Sequence, residues 1–149
     1  MSPIKMLADE APIIKASFYE NASFQGRWEI EINKQGNLVA EAEKSMVDFN
    51  EKKEKFVAKI NKRELTNLCI DIKEKGFFKI NQYYSSSTSV MVDGPEVVIV
   101  INCGGLSNRV IYYPNHGDTS DTTSQIIEAI WQKVWSYSKV KAPSLMKYM

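Results

Sequence analysis

The sequence predicts an α+β domain in which an antiparallel sheet of about five to six strands carries two helices on one face. Three observations predict it. The segment "RWEIEIN" alternates apolar and polar side chains, two later segments repeat apolar residues at helical spacing, and the order along the chain is strands, helix, hairpin, helix. A length of 149 residues suits one domain over 1–149, large enough to bury roughly two-thirds of its unfolded surface.

The elements follow in order. "PIIKASFYE" reads as a first strand beside "RWEIEIN", whose Trp28, Ile30 and Ile32 point one way and Glu29, Glu31 and Asn33 the other. Period two places neighbours on opposite faces, so one face of this sheet is wet. "KQGN" supplies turn residues, with Gly36 free to take positive φ, and "LVAEA" returns as the second half of a hairpin. "KFVAKI" adds a short strand with Phe56, Ala58 and Ile60 on one side. Asn61 then caps a helix, with Glu64 in the capping-box position. Leu65, Leu68, Cys69 and Ile72 form its apolar stripe, and Gly76 after "KEK" stops it. Ile70 lies off that stripe, either packed by a neighbouring loop or exposed as a contact surface. Phe77 and Phe78 are expected to seal the helix end.

Residues 83–95, "YYSSSTSVMVDGP", read as a long polar loop. "EVVIVIN" is apolar on both faces from Val97 to Ile101, which predicts a central strand covered on two sides, or nearly so. "CGGLSN" makes a glycine turn, and "RVIYY" returns until Pro114. The last helix starts after "NHGDTSDTTS", with Thr122 and Gln125 as a capping box. Ile126, Ile127, Ile130, Trp131, Val134 and Tyr137 make its stripe, Glu128, Gln132 and Ser136 its wet side, and Trp135 its rim. Both ends, about 1–10 and 140–149, are expected to be flexible.

Composition narrows the function classes. Hydrophobic and charged fractions of 44% and 25% are those of an average globular protein, which argues against disorder and against membrane spans. Nineteen basic residues against eighteen acidic ones leave almost no net charge, so non-specific nucleic-acid binding is not expected. The charge is uneven: residues 1–43 are acidic on balance, 44–63 are basic, and "KVKAPSLMKYM" has three lysines and no acid. A solvated linker with a frayed tail is the plainer reading, and a basic surface for an acidic partner the sharper one.

Cys69 and Cys103 lack the clustering of a disulfide framework or zinc site. Two buried free thiols in a reducing compartment are the default, with a single bridge left open. "MSPIKMLADEAPII" has neither the apolar core of a signal peptide nor a lipobox cysteine, so a cytoplasmic location is expected. An exported or periplasmic location is the alternative, if a leader has been trimmed away.

Few residues carry chemistry. His116 beside Asp118 and Asp121 would serve as a general base or as one metal ligand, but Pro, Asn, Gly and Asp around it build turns. Asp93 in "VDGP" is most simply a turn former. Cys103 activated by His116 is outweighed by a hairpin cysteine under the sheet. No serine sits in a nucleophile elbow, and the glycines after "EVVIVIN" precede another strand instead of a phosphate-binding helix. The expectation is a protein without catalytic residues, cofactor or metal that binds another protein, an inhibitor or immunity-type partner in particular. Tyr83, Tyr84, Ile70 and Trp135 are the candidate contact residues, since tyrosine among serines suits an adaptable loop. The rivals are a hydrolase or metal-dependent enzyme using His116, Asp118 and Asp93, and a small-ligand module with a cleft between sheet and helices.

One longer pattern adds to this. A helix ends in Gly76-Phe77-Phe78, a segment closes on Tyr84, and a loop carries Asp93-x-Pro95. An apolar strand, a glycine turn and a basic strand with Arg109 and Tyr112 follow. Over roughly residues 26–118 this resembles an uncharacterised bacterial domain-of-unknown-function family of small α+β proteins, often exported or lipid-anchored. The sequence departs from the family in lacking the anchor and the Cys-rich signature that usually precedes the hairpin. The resemblance implies the architecture and carries no activity with it.

Overall fold

The computed structural model describes residues 12–19, 26–44, 52–81, 83–85, 96–113 and 122–145. In chain order the elements are β1 (Pro12–Tyr19), β2 (Arg27–Asn33), β3 (Asn37–Lys44), β4 (Lys52–Lys59), α1 (Lys62–Glu74), a 3₁₀ turn (Phe77–Lys79), β5 (Tyr83–Ser85), β6 (Glu96–Cys103), β7 (Leu106–Tyr113) and α2 (Thr122–Trp135). The strands form one sheet in the order β4-β3-β2-β1-β6-β7-β5. Six of them are antiparallel, as expected, and β5 joins β7 as a short parallel edge strand.

Alternation sorts the sheet into two faces. Ile14, Ala16, Phe18, Ile30, Ile32, Leu38, Ala40, Val97, Ile99 and Ile101 are buried in one cluster with Leu65, Leu68 and Ile72 of α1 and Ile127, Ile130, Trp131 and Val134 of α2. Both helices therefore cover the same face. The opposite face carries charges in register: Lys15 lies across from Glu31, Lys53 from Glu43 and Lys55 from Glu41, with contacts of 3.3, 3.5 and 3.8 Å.

Turn chemistry holds the register. Asn33 Oδ1 accepts from the backbone N–H of Gln35 at 3.0 Å and of Asn37 at 2.9 Å, an Asx-type turn. Gly36 has φ of 86°, and its carbonyl accepts from Ile60 N–H at 2.7 Å, which ties the β2–β3 turn to the β4–α1 junction. In the β6–β7 hairpin Gly104 and Gly105 both have positive φ, 57° and 82°. That is the backbone demanded by the tight hairpin turn whose twist matches its strands.

At the start of α1, Asn61 Oδ1 accepts from Glu64 N–H at 2.8 Å. The expected capping box differs in its second half: the Glu64 carboxylate accepts from the Asn61 side-chain amide at 2.8 Å. Gly76, φ 84°, ends the helix, and Asn108 of β7 donates to the carbonyls of Phe77 and Ile80 at 2.8 and 2.9 Å. Those bonds clamp the 3₁₀ turn to the sheet.

Five expectations are corrected. The short strand expected at "KFVAKI" begins earlier, with β4 running Lys52–Lys59, so this part of the basic stretch is sheet and not a solvated linker. Tyr83–Ser85, expected in a loop, pair with Ile111–Tyr113. Strand β6 is central but buried on one face only: Val98 and Val100 are half-buried, because their neighbours in register include Ser17 and Lys15 on the charged face. The last segment is docked from 140 to 145. Trp131 Nε1 donates to the Pro143 carbonyl at 2.9 Å, Glu128 accepts from Leu145 N–H at 2.9 Å and Ser144 Oγ at 2.7 Å, and Val140 and Leu145 are buried. Finally, Trp135 is no rim residue. It is 3% exposed, with its ring 5.5 Å from that of Trp131.

Candidate functional site

Stripe residues of α1 belong to the core, so its flank must face something else. That flank meets the end of the sheet where β1 begins and the β2–β3 and β6–β7 turns lie. A groove of about 530 Å³ runs between them. The helix wall is Lys62, Leu65, Thr66, Cys69, Ile70 and Lys73. The sheet wall is Ile13, Lys34, Asn102, Cys103, Gly104 and Leu106, and Phe78 closes one end.

A disulfide joins the two walls. Cys69 and Cys103, with Cα atoms 5.8 Å apart, are bonded, which corrects the expectation of two free thiols. The link ties the middle of α1 to the last residue of β6. The groove walls are thus joined by a covalent bond as well as by the core behind them.

Most of the floor is apolar. Ile70 is 50% exposed and Leu106 39% exposed, on opposite walls. Every charged side chain among the described residues lining the groove is a lysine. Asp71 of α1 is not in the lining, and it bonds Lys75 at 2.9 Å.

A second, smaller concavity of about 220 Å³ lies on the charged sheet face among Arg27, Glu29, Glu41, Glu43 and Lys53. Arg27 donates to Glu29, and that bond is the main cause holding its guanidinium pKa above the ordinary value. Glu29 and Glu41 face each other in register, with Arg27, Lys53 and Lys55 interleaved around them. The carboxylates are thus interleaved with neighbouring cations.

The expected contact residues separate. Ile70 is in the groove. Trp135 is in the core and out of a partner's reach. Tyr83 and Tyr84 contribute backbone to β5, and their side chains lie outside the described residues, as do Asp93, His116, Asp118 and Asp121. Among the described residues no group of three or more His, Cys, Asp or Glu could hold a metal ion. Leu106, Lys62, Lys73 and the disulfide are the parts that sequence reasoning missed. A signal for the two lysines existed: Lys62, Thr66, Ile70 and Lys73 recur at helical spacing beside the core stripe. No helix of the described residues is long and apolar enough to cross a membrane. The chain matches no known protein-family model and no curated protein.

Proposed function

We propose that the chain is a non-enzymatic protein-binding domain, of the inhibitor or immunity type, which takes its partner in the groove between α1 and the β6–β7 turn. One observation carries this reading: Ile70 and Leu106 remain exposed on facing walls of a preformed apolar concavity, beside a helix whose other apolar residues are all committed to the core. Exposed apolar area gathered in one place favours association, whereas scattered apolar residues do not. The test uses a partner captured from the source cell and then purified. Ile70→Asp and Leu106→Asp are each expected to weaken it at least tenfold. Val57→Asp, at a 64% exposed valine of β4 on the charged face, should leave it intact. Unchanged affinity in both groove variants would sink the proposal.

The resemblance to small exported bacterial proteins belongs to the same proposal, and the Cys69–Cys103 bridge supports an oxidising compartment over the cytoplasm. Thiol labelling of the native protein, before and after reduction, checks this: both cysteines should react only after reduction. The cavity also favours a second reading, a small-ligand module.

A further inference from the structure

Resting on the protein-binding reading, we infer that the groove receives an acidic peptide segment of the partner, with apolar residues at its centre and carboxylates at both ends. Lys62, Thr66, Ile70 and Lys73 are four, four and three residues apart, which places them along one flank of α1. From Lys62 to Lys73 the helix rises about 16 Å. Between these two cations lie Leu65, Cys69 and Ile70, with Leu106 facing them. Along the helix wall the charge order is therefore cation, apolar, cation, and Lys34 adds a further cation on the sheet wall.

A partner covering this surface withdraws the lysine ammonium groups from water, which is costly unless it brings counter-charges. No carboxylate among the described lining residues supplies them. Lys62 and Lys73, whose backbones are about 16 Å apart along the helix, call for anions at both ends of an apolar centre. A peptide of about three helical turns, or roughly five extended residues, has that length and can carry that pattern. A fatty acid has the apolar part but one charge only, and so cannot answer both Lys62 and Lys73.

The experiment is a display selection of random 16-residue peptides on the full, disulfide-bonded chain, followed by titration of one enriched synthetic peptide. Enriched sequences should carry apolar residues flanked on both sides by Asp or Glu. Affinity should fall at least tenfold in the doubly substituted K62E/K73E protein, return when the peptide's flanking acids are exchanged for lysine, and weaken as salt is raised. Both lysines are exposed, so the fold should survive the change, and circular dichroism checks it. Enriched peptides that are neutral or basic yet lose binding in I70D overturn the charge assignment and leave the protein-binding reading standing. Peptides indifferent to I70D and L106D overturn both. Palmitate binding with no peptide enrichment replaces both with the small-ligand reading.

Discussion

Gly36 and Gly104 both have positive φ, yet their surroundings differ enough to separate two costs. A Cβ on Gly36 would stand 2.0 Å from the Ile60 carbonyl oxygen, a backbone atom of the β4–α1 junction, whereas nothing lies within 4 Å of one on Gly104. Gly104→Ala should cost only the left-handed strain, about 1–2 kcal/mol. Gly36→Ala carries the same strain plus displacement of Ile60, and should cost about 3 kcal/mol or more in urea unfolding. Equal losses for the two would show that the junction yields freely. Tyr137 makes a second prediction at this scale. Burial first, then the charges of Glu64 and Asp71, raise its phenol pKa above the ordinary value near 10. The neutral phenol is favoured in the folded state, so this contribution is fully present below about pH 10 and is lost as pH rises through the folded value. Tyr137→Phe should flatten the alkaline fall in stability, read as a melting temperature against pH from 9 upward.

Glu128 shows how an element recruits its neighbour. Its helix face reads as wet, and Gln132 and Ser136 on that face are indeed exposed. Glu128 itself accepts from Leu145 N–H and Ser144 Oγ, and so stitches the last described turn of chain to α2. Glu128→Ala should cost about 1–3 kcal/mol and raise hydrogen exchange at Leu145 before any strand amide exchanges. An unchanged rate there would assign the docking to Val140, Leu145 and Trp131 alone. The same contrast marks what sequence reading reaches. Alternation revealed β2 and most of β4, a turn signal placed β3, a continuous apolar run marked β6, and 3.6-residue spacing revealed both helices, because those signals are local in the chain. Strand β5 escaped because three residues pair in parallel with a distant β7, and the first residues of β4 because a lysine-rich edge looks like a solvated linker. The tail escaped because its anchor is an indole twelve residues upstream. In the groove, Ile70 was visible as an apolar residue off its stripe. Leu106 and the disulfide were not, since only the packing of α1 against the end of β6 brings them there.

At the scale of the whole molecule the sheet has one dry face and one charged face, and the stabilising weight is unequal. Ion pairs on the charged face are exposed, so each contributes at most about 1 kcal/mol and the set is weakened by salt. The dry face and the Cys69–Cys103 bridge must carry the fold. Closing a loop across a sequence separation of 34 residues restricts the unfolded chain by about 4 kcal/mol on the chain-entropy account. For a domain of this size that is a fall of about 8–16 °C in Tm when both cysteines become alanine. The bridge also lines the groove and joins its walls, so its loss should act on binding as well. Below the lowered Tm, where the double variant is still folded, an enriched peptide should bind it more weakly than the native chain, because the groove must then be ordered at the moment of association. Full affinity in the folded double variant would mean that the core alone positions α1 against β6, leaving the disulfide a role in stability only.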